Sequence, residues 1–211
     1  DTYALKSDSV NNLTDTLRST IKNSNGGGAT LAIGGGNTAD YTQASQLIGV
    51  NNTLKGTSSS ISQYNALNGY KNTAENVTQT YITGLGNTVS NSQSDVVIGD
   101  YHTLSGGGNN VVIGSMEAQD LQEEKTVNGV SDPITKVPVK AHQSDISDTV
   151  MIGHNADVTV NGGVALGANS VASTDKGVAG YDLSTGAAST ETSVAWKSTA
   201  AAVSVGDVDL K

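Results

Sequence analysis

Histidine and paired carboxylate side chains are the groups in this sequence that could carry acid–base or metal chemistry. The three histidines are His102, His142 and His154. None of them has a second ligand at the short spacing typical of a metal site. Glu123 and Glu124 are adjacent and precede Lys125, a pattern typical of a solvated charge cluster rather than of a paired acid and base. We therefore expect no metal, no cofactor and no catalytic residue, and hence a protein that is not an enzyme.

Phosphate, thiol and nucleic-acid chemistry are disfavoured as well. The glycine strings 34–36 and 106–108 are not followed by a Lys-Ser/Thr pair or by a helical pattern, so they match neither a phosphate loop nor a dinucleotide fingerprint. The chain has no cysteine, which excludes disulfides and thiolate zinc sites. Its 20 acidic and 11 basic residues give a net charge of −9, which disfavours nucleic acid and anionic membrane surfaces as partners.

A short motif of apolar residues followed by glycine recurs along the chain and predicts a repeat architecture. Its glycines are Gly34, Gly49, Gly69, Gly84, Gly99, Gly114, Gly153, Gly167 and Gly206, at spacings of 15, 20, 15, 15, 15, 39, 14 and 39 residues. A period of 14–15 residues is too short for a helical hairpin and fits one solenoid coil made of two short strands and two turns. We therefore predict an all-β fold, a parallel β-solenoid or β-roll of about nine coils of 14–15 residues.

A second signal follows several of these glycines in a constant register. Its residues are Asn37, Asn52, Asn72 and Asn87, and His102 occupies the same place in the next coil. We interpret the glycines as corner residues that adopt positive φ or allow the next coil to approach closely. The asparagines are interpreted as turn residues that tolerate the left-handed region, and His102 is interpreted as a turn residue too.

Several of the strands that precede these glycines are apolar on both faces, as in residues 96–98, 111–113 and 150–152. Val96 and Ile98 share one face, and Val97 lies on the other. We assign the middle residue of each strand to an exposed ladder, which would be too long for a soluble monomer to leave bare and would therefore form a homotrimer interface. This ladder consists of Leu47, Leu67, Ile82, Val97, Val112, Met151 and Ala165. The alternative is that other parts of the same chain bury both faces.

The composition divides the chain into coils and segments that differ from them. Val10, Leu13, Leu17 and Ile21 share one helical face, which predicts a short N-terminal amphipathic helix that closes the solenoid end or forms a three-stranded coiled coil. The predicted organisation is helix and glycine linker at 1–28, coils at 29–118, a loop or hairpin insertion at 119–148, coils at 149–175, a hairpin-type insertion at 176–202, and the last coil at 203–211.

The insertion at 119–148 is the candidate ligand-contact loop, because the scaffold does not require it. It contains both prolines of the chain and an Asn-Gly turn at 128–129. The candidate contact residues are Glu123, Glu124, Lys125, Val127, Asn128, Pro133, Lys136 and Pro138.

The repeat at residues 164–172, VALGANSVA, resembles the head repeat of YadA-like trimeric autotransporter adhesins, and residues 180–206 resemble the end of such heads. The resemblance covers roughly residues 29–207. It implies a left-handed parallel β-roll, three copies side by side, and a coiled-coil stalk and outer-membrane anchor that we expect outside this chain, like any export signal. It also implies type V secretion, exposure on the bacterial cell surface, and adhesion in virulence to host cell-surface or matrix proteins or to other microbes, without catalysis.

Three other solenoid classes fit less well. A trimeric phage tail-spike usually has longer coils and an acidic pair on neighbouring strands. An ice-binding solenoid shares the coil length but favours a flat Thr-x-Thr face, whereas the threonines here are followed two positions on by Asp, Lys, Glu, Ser and Ser. Hexapeptide acyltransferases need a coil that is a multiple of six residues.

Overall fold

The computed structural model describes residues 30–120, 126–127, 130–131, 136–191 and 193–206. The helix expected at 1–28 and the end of the last coil at 207–211 lie outside the described residues. The described residues contain no helix. Their strands are β1 (Thr30–Ile33), β2 (Thr38–Asp40), β3 (Thr42–Gln43), β4 (Ser45–Val50), β5 (Thr53–Lys55), β6 (Ser62–Gln63), β7 (Ala66–Tyr70), β8 (Thr73–Glu75), β9 (Tyr81–Leu85), β10 (Thr88–Ser90), β11 (Val96–Asp100), β12 (Thr103–Ser105), β13 (Val111–Ser115), β14 (Ala118–Asp120), β15 (Thr126–Val127), β16 (Val130–Ser131), β17 (Lys136–Pro138), β18 (Val150–Ile152), β19 (Asp157–Val158), β20 (Val164–Leu166), β21 (Val171–Ala172), β22 (Tyr181–Asp182), β23 (Ala187–Ala188) and β24 (Val203–Val205).

Two parallel sheets run along the molecule. The long sheet has nine strands in the order β1-β4-β7-β9-β11-β13-β18-β20-β24, and the short sheet has five in the order β12-β10-β8-β5-β2. Equivalent repeat positions stack on one another, so that Val97 pairs with Ile82 on one side and Val112 on the other. The prediction of an all-β fold built from stacked parallel strands is therefore confirmed for the described residues.

Each regular coil has three sides and three corners rather than the two strands and two turns expected. In the coil that begins at β9, the corners are Gly86, Asn91 and Ser94, all with φ between 51° and 64°. The third side is a single bridging residue, Gln93, which pairs in parallel with Thr78 and Gly108. A side of one residue has no alternating pattern, which is why periodicity did not reveal it.

The coil interior is narrow and takes one side chain from each side. In the coil of β9 these are Ile82, Val89 and Ser92, all buried. The assignment of the middle strand residues to an exposed trimer interface is therefore wrong. Leu47, Leu67, Ile82, Val97, Val112, Met151 and Ala165 are at most 1% exposed and form the core. Alternation separates two faces, but both are apolar here, and only closure of the coil decides which one points inward.

The repeat glycines lie at or near the ends of the long-sheet strands, and at seven of them a side chain would not fit: Gly34, Gly49, Gly69, Gly84, Gly99, Gly114 and Gly153. Gly84 has φ of +140°, and a Cβ atom there would lie 1.9 Å from the carbonyl oxygen of Gly99 in the next coil. The other repeat glycines also have positive φ. The column needs glycine for both reasons, its conformation and the close approach of the neighbouring backbone.

Antiparallel pairs interrupt the coils where insertions were predicted. Strands β14 and β17 pair in antiparallel fashion, as do β15 and β16, where Val127 faces Val130 across residues 128–129. In the second insertion, β22 pairs with β23.

Candidate functional site

The outer surface of the long sheet is an apolar face exposed along the whole described solenoid. Its two columns flank the buried middle residues, one of them beginning with Leu31 and the other with Ile33. Nine large apolar side chains on this face are 37% to 76% exposed: Leu31, Ile33, Ile48, Tyr81, Ile98, Ile113, Ile152, Val203 and Val205. We call this surface the outer face. An exposed apolar stripe of this length is typical of an interaction surface.

Polar residues interrupt the outer face near one end. Asn68 and Thr83 take the places that isoleucine holds in β11, β13 and β18, and the two residues pair in register. Gln46 begins the same interruption in the other column. Among the described residues, the side chains of these three make no hydrogen bond. From β11 to β24, by contrast, both columns contain only valine, isoleucine and leucine.

The asparagines expected at the corners form a hydrogen-bonded ladder inside the solenoid instead. The left-handed conformation falls one residue earlier, as at Asn51 and Lys71, and Asn52, Asn72 and Asn87 are fully buried. The Asn72 side-chain amide donates to Asn52 Oδ1 at 3.0 Å and to the Gly84 carbonyl at 2.8 Å. Asn37, Asn52, Asn72 and Asn87 repeat this pattern. These residues therefore satisfy the backbone where each coil bends.

His102 ends the asparagine ladder and is buried rather than exposed at a turn. Its backbone N–H donates to Asn87 Oδ1, and its Nε2 lies 3.0 Å from the Gly114 carbonyl. Its Nδ1 lies 3.1 Å from Nε2 of His142, and the two rings are stacked. His142 Nδ1 lies 2.8 Å from Asp157, whose other oxygen accepts from Lys140 at 3.0 Å.

Hydrogen-bond donors and acceptors assign the protons of this histidine cluster, His102–His142–Asp157–Lys140. The Gly114 carbonyl can only accept, so Nε2 of His102 carries hydrogen, and Nδ1 of a neutral His102 accepts from His142. The Asp157 carboxylate can only accept as well, from Nδ1 of His142 and from Lys140, so the four side chains form one continuous hydrogen-bonded cluster.

The pKa values agree with this assignment. Burial lowers the pKa of His102 to about 4, so this side chain is neutral at pH 7. The hydrogen bond to the Gly114 carbonyl raises this pKa, and the charge interaction with His142 lowers it. Burial raises the pKa of Asp157, but its hydrogen bonds and charge interactions with His142 and Lys140 outweigh burial and leave it below its ordinary value. Among the described residues, no group of three or more His, Asp or Glu side chains is arranged to hold a metal ion.

A second buried ladder contains a carboxyl group. Asp95 accepts from the backbone and side-chain N–H groups of Asn110 at 3.0 Å and from the Ser92 hydroxyl. Burial raises the pKa of Asp95, although these three hydrogen bonds oppose the shift. Sequence reasoning did not single out Asp95 or Asn110, since neither belongs to the repeated motifs described above. The spacing of 15 residues between Asp95 and Asn110 is the signal that could have found this ladder.

The candidate contact loop is only partly covered by the structure. Glu123, Glu124, Lys125, Asn128 and Pro133 lie outside the described residues, and of Val127 only the backbone is described. Lys136 is exposed in β17 and lies 3.9 Å from Asp120 in a surface ion pair. Pro138 pairs with Ala118 across the same two strands. The structure therefore shows these two as residues of a ladder on the surface.

The second insertion exposes more apolar surface than the described part of the first. Val178, Tyr181, Leu183, Val194 and Trp196 are 44% to 89% exposed. A shallow depression between Val178 and Trp196 is bordered by Asp175 and Lys197. This segment is therefore a further candidate contact surface, which sequence reasoning did not single out.

The fold and the outer face define a class of protein, a parallel β-solenoid with an exposed apolar sheet. No protein-family model matches the sequence, and no curated protein matches it. One solved structure that it resembles is that of the polySia-specific acetyltransferase NeuO. The two are 16% identical over 68% of this chain and 74% of the other, with a TM-score of 0.24.

The expectation that the chain is not an enzyme is corrected by this comparison, because the structure that it resembles is that of an acetyltransferase. A TM-score below 0.5 carries no argument for the same activity here. In the described part of the chain, no helix is long and apolar enough to cross a membrane.

Proposed function

We propose that this chain is the head of a trimeric bacterial surface adhesin, similar to the YadA-like heads that its repeat at 164–172 resembles. Three left-handed solenoids of nine coils associate side by side through their outer faces. The trimer stands on the outer surface of the bacterium and binds host cell-surface or matrix proteins, or other microbes. The observation that carries this proposal is the outer face, whose apolar columns are left exposed by a single chain.

The energetics of that surface support the proposed self-association. Fully burying a valine, leucine or isoleucine side chain that was fully exposed contributes about 1.5–3 kcal/mol, and covering the half-buried side chains of the outer face contributes part of that amount. From β11 to β24 alone, each chain presents ten such aliphatic positions in two columns. Three chains around one axis would cover these columns mutually, and the polar short sheets would remain in water.

Presenting the same weak contact three times would support adhesion. Lys136 of the first insertion and Tyr181 and Leu183 of the second are exposed outside the regular coils, where ligand contacts are commonly located. Three copies on one head raise the effective concentration of the contact, so the head binds with a higher avidity than one contact alone would give. The threonine column of the short sheet is a poor ice-binding surface, because the neighbouring column carries Asp40 and the ion pair Lys55–Glu75.

The first test compares Ile98→Asp on the outer face with Thr88→Asp on the short sheet. Light scattering over a dilution series should give a mass of about three chains for the native protein and for Thr88→Asp, and one chain for Ile98→Asp. Circular dichroism checks that both variants keep the native β spectrum. A native protein that is monomeric at all concentrations would refute the trimer.

Adhesion is tested with beads that carry the native protein or either variant. The beads are applied to cultured epithelial cells, to immobilised collagen, laminin and fibronectin, and to other bacteria. Native and Thr88→Asp beads should be retained on at least one surface, and soluble Ile98→Asp should bind that surface about 100-fold more weakly than soluble trimer because avidity is lost. A stable trimer that is retained on none of these surfaces would refute the adhesin function.

A further inference from the structure

The depression in the second insertion has a volume of about 490 Å³ and lies where two chain segments pair in antiparallel fashion. The Gly180 N–H donates to the Trp196 carbonyl at 2.6 Å, and the Ser198 N–H donates to the Val178 carbonyl at 2.9 Å. These backbone hydrogen bonds hold the walls of the depression in place. A pre-formed site of this kind loses little freedom when a ligand binds.

One aromatic ring provides most of the flat surface in this depression. Trp196 is the only tryptophan of the sequence, and it is 44% exposed. Its ring lies beside Gly180, where an added Cβ atom would be 3.9 Å from Cε3 of the indole. Alanines at 195 and 200–202 also line the depression. An exposed indole among such short side chains leaves room for a flat ligand of moderate size.

The polar groups around the indole carry opposite charges that are not paired with each other. Asp175 and Lys197 both border the depression. Among the described residues, the Lys197 ammonium has no hydrogen-bond or ion-pair partner, and Asp175 accepts from the N–H of Lys176 at 2.7 Å. Thr174 and Ser198 add hydroxyl groups, which both donate and accept. The border therefore offers donors and acceptors without a net charge.

A neutral sugar ring matches this arrangement better than a peptide side chain or an ion does. A pyranose has a face of C–H groups that stacks on an indole, and hydroxyl groups at its edge that donate to Asp175 and accept from Lys197. An apolar peptide side chain would cover the ring but would remove water from both charged groups without replacing it. A charged ligand would meet one group of like charge, and an anion would also meet the net charge of −9.

We propose that this depression binds a neutral pyranose unit of a glycan, with Trp196 as the stacking surface and Asp175 and Lys197 as hydrogen-bond partners of its hydroxyl groups. This inference rests on the proposed adhesin function for its role and names the chemical class of the partner. A single shallow site of this kind binds weakly, with a Kd on the order of 1 mM. Three copies on one head gain avidity.

The single tryptophan makes the site its own reporter. Its fluorescence, excited where tyrosine does not absorb, is followed while the native protein is titrated with D-glucose, D-galactose, D-mannose or N-acetyl-D-glucosamine. D-sorbitol is the control ligand, because it carries hydroxyl groups without a ring face. We expect a saturable change with at least one pyranose and none with sorbitol. Ile98→Asp should give the same Kd, since the site lies within one chain.

The test variants are Lys197→Met and Asp175→Asn. The matched control is Lys176→Met, at an exposed lysine that does not border the depression. Loss of one charge-assisted hydrogen bond should raise the Kd about tenfold in each test variant and leave the control unchanged. Trp196→Ala removes the reporter, so its binding is followed by saturation-transfer NMR, in which the sugar signal should disappear. Circular dichroism checks that each variant keeps the native β spectrum.

The glycan class is tested with beads that carry the native protein, applied to an array of neutral, sialylated and sulfated glycans. Retention should be strongest on neutral glycans and should be lost with Trp196→Ala. Stronger retention on the acidic glycans would overturn the neutral class. If no pyranose changes the fluorescence or gives an NMR signal, and no neutral glycan retains the beads, the sugar site itself is overturned.

The remaining outcomes separate this site from the adhesin function. Sugar binding that is equal in the native protein, Lys197→Met and Asp175→Asn lies elsewhere and overturns the assignment to this depression. If Trp196→Ala abolishes retention on cells or matrix proteins while the native protein binds no glycan, the partner at this surface is a protein, and the adhesin function stands without the sugar. Sugar binding by a protein that is retained on no cell, matrix or bacterial surface would count against the adhesin function and leave the site intact.

Discussion

Buried polar side chains in this solenoid are arranged in ladders, and the residue types in a ladder decide how stability depends on pH. The asparagine ladder does not titrate, but it ends at His102, and the second ladder contains Asp95. Each of these two groups favours its neutral form when folded, because burial penalises the charge. As pH falls, the fold loses stability through His102 and gains stability through Asp95, since one is a base and the other an acid.

Asp95→Asn is expected to stabilise the fold near neutral pH. The raised pKa means that the contribution of Asp95 is most favourable below its ordinary pKa of 3.8 and is lost as pH rises through the folded value. Asparagine keeps an oxygen for Asn110 and does not ionise, so the variant should gain about 1 kcal/mol at pH 7 and nothing at pH 3. Urea unfolding at both pH values measures this difference.

The matched control is Asp40→Asn, an exposed carboxylate of the short sheet, which should change stability by less than about 0.5 kcal/mol. A loss of stability in Asp95→Asn at pH 7 would contradict the argument, because it would mean that the ionised carboxylate is favoured in the folded state.

Acid should destabilise the native protein through His102. Its pKa is about 4 when folded and 6.5 when unfolded, so its stabilising contribution is complete above pH 6.5 and is lost as pH falls toward 4. The expected loss between pH 7 and pH 4 is on the order of 2–3 kcal/mol. The lowered pKa of Asp157 adds a loss of the same sign at lower pH, because that group stabilises only while ionised.

His102→Asn continues the asparagine ladder without a titrating group. We expect it to cost about 1–2 kcal/mol at pH 7, because the contact with His142 is lost, and to flatten the decline between pH 7 and pH 4. Unfolding midpoints in urea at pH 7, 6, 5 and 4 give both quantities. The control is His154→Asn, at an exposed histidine, which should keep the native decline in stability between pH 7 and pH 4. If His102→Asn also keeps that decline, His102 is not its cause.

At the scale of the coil, the packing of successive backbones restricts the sequence most strongly. The strands of the long sheet end where glycine backbones from neighbouring coils touch. The three corners of a coil tolerate several residue types, including Tyr101 and Lys71 in left-handed conformation. The repeat is therefore most regular at its glycines, and from Gly34 to Gly153 no side chain fits there.

Gly84→Ala tests this close approach, with Gly35→Ala as its control. The added methyl group at position 84 would lie 1.9 Å from the Gly99 carbonyl, on a backbone with φ of +140°. We expect a loss of at least about 3 kcal/mol, or failure to fold. At Gly35 an added Cβ meets nothing within 4 Å, so its substitution should change stability by less than about 1 kcal/mol. Thermal unfolding followed by circular dichroism measures both, and equal losses would contradict the role of the glycine column.

At the scale of the whole molecule, the proposed trimer predicts a stability that depends on concentration. If the folded chains associate and the unfolded chains do not, mass action raises the unfolding temperature with protein concentration. For a chain of this size, we expect about 2–3 °C for each tenfold increase. Calorimetry at three concentrations measures the shift. Ile98→Asp should remove this dependence and Thr88→Asp should keep it; a native midpoint that does not change with concentration would argue against self-association.

The repeat itself could be predicted from the sequence, since a 15-residue period with glycine at one phase leaves few folds. The parallel register of Val97 with Ile82 and Val112 follows directly from that spacing. The two hairpin-type insertions also follow, because they break the period. These are local and periodic features, which the order of residues along the chain expresses.

The direction of each side chain and the contacts between distant residues were decided only by the tertiary structure. Val97 and Ile98 are both aliphatic, so composition could not show which one the closed coil would bury. His102 and His142 are 40 residues apart and meet because the insertion between them returns to the next coil. Sequence determined the repeat because backbone pairing depends on spacing, whereas inside and outside depend on how the coil closes in space.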